Sequence, residues 1–259
     1  MKAISADGVT GAWSVTRRFR LERFGIVAEL PLPGYSHRVA VRGNTACVAC
    51  GQAGLILVDV SDPLAPTIRA AIMDSLNEAW GVATNDSLAF VAYGNKELMV
   101  VDIRHPDSLV VKGILEYPQP AYGFGVALMD TFACVAADAQ FILADVSDAR
   151  HPALVFQYYY PRSCRDIAVS GGFGYVAIEQ LGIATWRLDT FPPRQLASLD
   201  TPGNARGIAV TDGYAYVADG RAGFLVANVS HPAQPVHVAS IPLSGYANAV
   251  AIADSFAYV

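Results

Sequence analysis

No apolar run in this chain of 259 residues approaches the roughly 18 to 20 residues that a membrane-crossing helix needs. Stretches such as residues 123–129 are short and interrupted by glycine, so no membrane span is expected. Charge is scarce, at 16% of residues, and the net charge is −5. The densest basic cluster is Arg17, Arg18 and Arg20, in a segment reading as strand and turn. A nucleic-acid partner needs a clustered cationic face, and none is expected here. Residues 1–8 lack the apolar h-region of a secretory signal. Catalytic signatures are missing as well: there is no Gly-Xaa-Ser-Xaa-Gly, phosphate loop, EF-hand or His-Glu-Xaa-Xaa-His pattern. Cysteine is limited to Cys47, Cys50, Cys134 and Cys164. Cys47 and Cys50 have CxxC spacing, but residues three apart on a strand face opposite sides of its sheet, and no second pair follows. The cysteines are therefore expected to be small buried fillers, and no metal or cofactor is expected.

What the chain does have is apolar content, 53% of residues, distributed with a period. Ala46-Cys47-Val48-Ala49 recurs as Ala89-Phe90-Val91-Ala92, Ala133-Cys134-Val135-Ala136, Gly174-Tyr175-Val176-Ala177, Ala215-Tyr216-Val217-Ala218 and Ala257-Tyr258-Val259, the valines lying 43, 44, 41, 41 and 42 residues apart. Each period carries the same four strand signals. A short run such as Val39-Ala40-Val41 or Ile167-Ala168-Val169 is followed by a tight turn (Gly43-Asn44, Asn85-Asp86, Met129-Asp130, Gly171-Gly172, Asp212-Gly213, Ala253-Asp254) of residues suited to positive φ. The valine segment is the second strand. A third strand, such as Leu55 to Val60 or Phe141 to Val146, breaks at proline or Ser-Asp, and a fourth closes the unit. Four short antiparallel strands in about 42 residues are the signature of a propeller blade, so the fold class is all-β, a β-propeller.

The chain stops midway through a second strand and starts with Ala6-Asp7-Gly8-Val9-Thr10-Gly11, which matches Ala218-Asp219-Gly220-Arg221-Ala222-Gly223, the segment after a second strand. Residues 11–16 would then be a third strand and residues 26–32 a fourth. Six four-stranded blades are expected in a single domain, over 1–34 with 245–259, 35–78, 79–121, 122–162, 163–203 and 204–244, closed by pairing the N-terminal and C-terminal half-blades. A piece cut from a longer array would show the same phase; the closed ring is favoured because closure removes exposed edges.

The phrase Gly54-Leu55-Ile56-Leu57-Val58-Asp59-Val60-Ser61-Asp62-Pro63, with its variants over residues 98–103, 141–148 and 224–232, resembles the LVIVD-repeat family of β-propellers. The resemblance runs through essentially the whole chain. It implies the fold and an extracytoplasmic or cell-surface tendency, and it implies no particular activity. The N-terminal half-blade departs from it, with Thr16-Arg17-Arg18-Phe19 in place of the Asp-Val-Ser-Asp-Pro turn.

Asp59, Asp102, Asp145, Asp189 and Asn228 share one place in the repeat, so they are spread around a ring and cannot converge; each is expected to cap the turn that follows it. The residues leading into each first strand behave differently. His37-Arg38, Trp80-Gly81, Phe124-Gly125, Arg165-Asp166, Arg206-Gly207 and Asn248-Ala249 vary among cationic, aromatic and amide types. The candidate ligand site is therefore the channel mouth, formed by His37, Arg38, Trp80, Phe124, Arg165, Asp166, Arg206 and Asn248. Arg38, Arg165 and Arg206 suit a carboxylate, phosphate or sulfate, and Trp80 and Phe124 suit a ring or sugar face. Neighbouring loops add Tyr93, Lys96, Glu97, Asp138, Gln140, Glu179, Gln180, Asp219 and Arg221. The reading favoured over a ligand site is a channel plug, with arginines paired to Asp166, Glu179 and Asp219 and the aromatics filling space. The favoured function is a non-catalytic binding or scaffold module for a small anionic or sugar-like ligand or a protein partner. The alternative is a hydrolase or lyase acting at the same mouth. It would draw on His37, or on Cys164 activated by Arg165, within reach of a second titratable group.

Overall fold

The computed structural model describes residues 26–73, 77–94, 97–117, 119, 121–254 and 256–259. The described chain falls into two compact units, Ile26–Tyr160 and Pro161–Val259. The first unit holds three antiparallel sheets, each a blade with its strands in chain order. Blade 1 comprises β1 (Arg38–Arg42), β2 (Thr45–Ala49), β3 (Leu55–Asp59) and β4 (Thr67–Ile72). Blade 2 comprises β5 (Ala79–Thr84), β6 (Leu88–Tyr93), β7 (Glu97–Asp102) and β8 (Val110–Glu116). Blade 3 comprises β9 (Gly123–Met129), β10 (Phe132–Ala137), β11 (Gln140–Asp145) and β12 (Ala153–Tyr159).

The second unit holds two further blades and a hairpin. Blade 4 comprises β13 (Asp166–Ser170), β14 (Phe173–Ala177), β15 (Ile183–Arg187) and β16 (Arg194–Leu199). Blade 5 comprises β17 (Gly207–Thr211), β18 (Tyr214–Ala218), β19 (Phe224–Asn228) and β20 (Val236–Ile241). The hairpin is β21 (Ala251–Ala253) and β22 (Phe256–Tyr258). The expected strand at residues 11–16 lies outside the described residues. Residues 26–32 form no strand; Leu30 and Leu32 instead pack on one face of blade 1, against Val48, Ile56 and Val58.

The second and third strands are buried on both faces, which is why they read as continuous apolar runs rather than alternating ones. Successive side chains point to opposite faces, so a blade flanked by two others in its unit, such as blade 2, offers alternate residues to each. Ala89, Val91 and Tyr93 of blade 2 pack with Cys47, Leu55 and Leu57 of blade 1. Phe90 and Ala92 pack with Val135 and Ile142 of blade 3. Blade 5 repeats this, with Val217 and Leu225 against Tyr175 and Ile183, and Tyr216 and Phe224 against Val250 and Ala257. Each fully buried large side chain contributes about 1.5–3 kcal/mol. Cys47 and Cys50 belong to cores on opposite faces of blade 1, as their spacing on a strand requires. Burial pushes the thiols of Cys47 and Cys134 up to about 12, which keeps both protonated and unreactive.

The turns follow the residue chemistry with some corrections. Met129 and Ala253 are the last paired residues of their strands, so the turns expected at Met129-Asp130 and Ala253-Asp254 begin at Asp130 and Asp254, both with positive φ. Gly171-Gly172 and Asp212-Gly213 close two-residue hairpins with positive φ at both positions. Blade 2 instead uses a three-residue loop of Asn85, Asp86 and Ser87, in which Asn85 Oδ1 accepts from the amides of Ser87 (3.0 Å) and Leu88 (2.8 Å). The side-chain cap takes the place of the positive φ expected there. The acids ending the third strands cap as expected: Asp59 and Asp145 accept from the amides of Ser61 and Ser147, each at 2.9 Å. Asp102 accepts from the Arg104 amide and is gripped by the Arg104 and Lys112 side chains. The Arg104 hydrogen bond holds its carboxyl far below the usual range. Asp189 does not share this place. Arg187 stands opposite Phe173 as Asp59 stands opposite Thr45, and Asp189 lies two residues beyond the strand, 3.6 Å from Arg187.

In blades 1, 4 and 5 glycine is required where the third strand begins. Gly54, Gly182 and Gly223 have φ of +72°, +71° and +90°, and a Cβ there would lie 2.1, 2.2 and 2.4 Å from the carbonyl oxygens of Ile72, Leu199 and Ile241. In all five four-stranded blades the register between third and fourth strands slips at one place, a bulge at Leu57/Val58, Val100/Val101, Leu143/Ala144, Thr185/Trp186 and Val226/Ala227.

Candidate functional site

The backbone fixes the lead-in residues before their side chains act. The amides of His37, Arg165 and Arg206 bond the carbonyls of Ala49, Ala177 and Ala218 at 2.8–2.9 Å, tying each to the end of its own first hairpin. In blades 1, 4 and 5 the loop after the second strand is then bridged to the element that follows, Gly51 to Ala79, Glu179 to Ala205 and Gly220 to Ala247.

In the Ile26–Tyr160 unit the lead-in side chains form a file of rings. The His37 imidazole stacks on the Trp80 indole, with centroids 3.8 Å apart and planes 22° from parallel. Phe124 meets Trp80 edge-on at 5.5 Å, and Tyr122 lies nearly parallel to Phe124 at 6.4 Å. The rings pack on one another, although the buried indole N–H of Trp80 has no hydrogen-bond partner among the described residues, so this part of the expected site is occupied largely by its own residues. Burial lowers the His37 imidazole below its ordinary value, with Glu78 pulling the other way through its charge. The Glu78 carboxylate accepts from the Gln52 side chain at 3.3 Å. Arg38 is half-buried at the start of β1. Of the added loop residues, Tyr93 and Gln140 are buried, and Lys96 lies outside the described residues.

In the Pro161–Val259 unit the lead-in residues are polar. Arg165 is spent on Glu179, its Nε 2.6 Å from Oε1. Asp166 is buried and accepts from the Ile208 amide of the next blade at 2.9 Å. Asp219 is also buried and accepts from Thr201 Oγ1 (2.7 Å) and the Gly203 amide (2.8 Å). Burial raises its carboxyl against the pull of those two bonds. Arg165 is thus paired with Glu179, while Asp219 serves the Thr201 hydroxyl and the Gly203 backbone. Cys164, expected at this face as an activated thiol, is fully buried.

Arg206 is different. Its guanidinium lies 5.1 Å above the Tyr246 ring, and Nε is shielded from water with no hydrogen-bond partner among the described residues. A Cβ on Gly220 would lie 3.2 Å from Cζ of Tyr246, so Gly220 and Arg206 both press on that residue. The phenol is pulled below its ordinary value, chiefly by its hydrogen bond with Asn204 and further by Arg206 and Arg221. Asn248 Nδ2 donates to the Tyr246 carbonyl at 3.3 Å. The structure thus brings together Arg206, Asn248 and the loop residue Arg221, around two residues that sequence reasoning missed, Tyr246 and Asn204. Tyr246 stands two positions before Asn248, and its signal was an aromatic beside a varying lead-in position. Among the described residues, no group of three or more His, Cys, Asp or Glu side chains is placed to hold a metal.

Comparison with solved structures places this geometry among propeller-like folds. The computationally designed Ika8 protein matches with a TM-score of 0.66 at 11% identity, over 87% of this chain and 69% of that one. A protein from Lactobacillus plantarum matches with a TM-score of 0.69 at 16% identity, over 80% and 71%. A chain of the mitotic checkpoint complex matches with a TM-score of 0.71 at 13% identity, over 96% and 77%. At such identities the likeness concerns the fold alone. A search of curated proteins finds no match. The LVIVD repeat profile matches residues 33–74, 78–116, 123–159, 161–183 and 202–241, well over half of the sequence. Those five matches correspond to the five four-stranded blades, and the chain belongs to the LVIVD repeat family.

Proposed function

We propose that this chain is a non-catalytic binding module that holds a small anion (a carboxylate, phosphate or sulfate) at Arg206. The observation that carries the reading is a half-buried guanidinium with no acid against it. Among the described residues neither Arg206 nor Arg221 makes an ion pair, whereas Arg165 in the preceding blade does. A shielded cation without a counter-charge is costly, and an oxyanion accepting from the guanidinium relieves that cost. Arg206 covers one face of the Tyr246 ring, which favours a small oxyanion over a stacked sugar. The enzyme reading has less to stand on. Cys164 is fully buried, and no hydrogen bond joins the His37 ring to an acid among the described residues.

The test is a thermal-shift series with sulfate, phosphate and acetate at constant ionic strength, on the parent and on Arg206→Ala. A ligand at a hundred times its dissociation constant adds about 2.7 kcal/mol, or about 5 to 10 °C for a chain of this size. A shift present in the parent and lost in the variant is expected. A shift that survives in Arg206→Ala, or none with any anion, overturns the reading.

The finer architecture is part of the same proposal: six blades closed as one ring, with the lead-in residues at its mouth. Val39 and Val41 of β1, each 60% exposed, support it, since they offer apolar surface that a further blade would cover. Solution scattering should then give a radius of gyration of about 18 Å, and a clearly larger value would argue against closure.

A further inference from the structure

At the end where its third strand stops, blade 5 lacks the charge pair that blades 1 and 2 carry; blade 3 has Asp145 with Val155 at these places and blade 4 has Arg187 with Leu196. In blades 1 and 2 an acid ends the third strand and a cation at the third residue of the fourth strand reaches it: Arg69 to Asp59 at 3.8 Å, Lys112 to Asp102 at 3.2 Å. The same register positions in blade 5 are Asn228 and Val238, because Asn228 faces Val236 as Asp59 faces Thr67 and Asp102 faces Val110. Asn228 keeps the structural task, since its Oδ1 accepts from the Ser230 amide (2.9 Å) and hydroxyl (2.7 Å). What is missing is the charge pair of blades 1 and 2. In its place lies a groove of about 520 Å³, against about 130 Å³ at the corresponding end of blade 1, where Asp59 and Arg69 still line the wall.

The chemistry of this groove is specific. Its floor is the cross-strand row of Tyr214, Asn228 and Val236, since directly opposed residues of antiparallel strands share a face. His231 and Gln234 come from a turn closed by the Gln234 amide on the His231 carbonyl at 2.8 Å, and His237 lies on the flank, 2.7 Å from Ser240 Oγ. No Asp, Glu, Lys or Arg is in the lining. An anion would find no cation there and a hard cation no carboxylate. An apolar ligand would cover amide and imidazole groups without satisfying them. A polyhydroxylated ring satisfies both the aromatic floor and the neutral donors and acceptors, and the volume lies in the range of small-molecule sites.

We propose that this groove binds a neutral carbohydrate, with a pyranose face against Tyr214 and hydroxyls met by Asn228, His231 and Gln234. The site is separate from Arg206, and the two proposals stand or fall independently. Methyl glucoside, galactoside and mannoside, with neutral di- and trisaccharides, are titrated into the isotope-labelled chain and followed by amide chemical shifts. Saturable shifts confined to the neighbourhood of residues 214 and 228–238 are expected. Tyr214→Ala should weaken binding by roughly tenfold or more. The double variant Asn228→Asp, Val238→Arg reinstates the charge pair of blade 1, keeps the loop cap and should abolish binding in a folded chain. Arg206→Ala should leave it unchanged. The absence of saturable shifts with any neutral glycan, or full binding by the folded double variant, overturns the proposal.

Discussion

At the lead-in positions of the Ile26–Tyr160 unit the rings of His37, Trp80, Phe124 and Tyr122 pack on one another. At the same positions of the Pro161–Val259 unit stand two arginines, one neutralised by Glu179 and one lying over Tyr246 without an acid. The backbone beneath them is alike, down to the bridges from Gly51 to Ala79 and from Gly220 to Ala247. The difference is therefore one of side chains on a common frame. It separates positions occupied by packed rings from positions that carry cations, a distinction that neither conformation nor strand pattern reveals.

The comparison can be challenged first at the frame itself, where the effect is largest. Gly54→Ala in one unit and Gly223→Ala in the other should each destabilise by about 3 kcal/mol, through a strained φ and a carbonyl clash. Clearly unequal losses in denaturant midpoints would show that the frames are not equivalent. Next come the side chains. Trp80→Ala should cost about 2 to 3 kcal/mol by emptying the ring file, whereas Arg206→Ala should change stability by less than about 0.5 kcal/mol. A stability loss for Arg206→Ala comparable to that for Trp80→Ala would mean that Arg206 is structural. The smallest effect concerns pH. Burial holds the folded His37 imidazole below its ordinary value near 6.5, so the unfolded chain binds the proton more readily. Stability should fall as pH drops below about 6.5, and level off once the folded imidazole titrates. Melting temperatures between pH 7.5 and 5 should decline less steeply in His37→Phe, and equal slopes would remove burial as the cause.

Much of this was legible in the sequence, because the repeat averages over local ambiguity. The valine period located every second strand, and the Asp before each Ser-Asp or proline break announced its cap. Asp189 was misplaced because Arg187 and Asp189 both suit a strand end, and only the ladder opposite Phe173 decides between them. The varied lead-in residues were found by position, yet their fates were not. Whether an arginine meets a glutamate depends on loop geometry that no spacing encodes, as Arg165 with Glu179 shows. Asn228 was visible as the one amide among acids at its place in the repeat, although the space beside it required Val238 to be aligned with Arg69 and Lys112.

The bulge shared by all five blades bears on how such a chain remains soluble. Every fourth strand is an outer edge whose free amides and carbonyls could recruit a strand from another molecule. In a sequence with 53% apolar and 16% charged residues, that hazard is acute while the chain is being made and in crowded solution. The slipped register kinks each edge, so a straight foreign strand meets only part of it in phase. Where the edge also carries Arg69, Lys112 or Arg194, an incoming apolar strand would have to bury a charge. β12 of blade 3 and β20 of blade 5 carry no Asp, Glu, Lys or Arg, so at those two edges the bulge alone stands against intermolecular strand pairing.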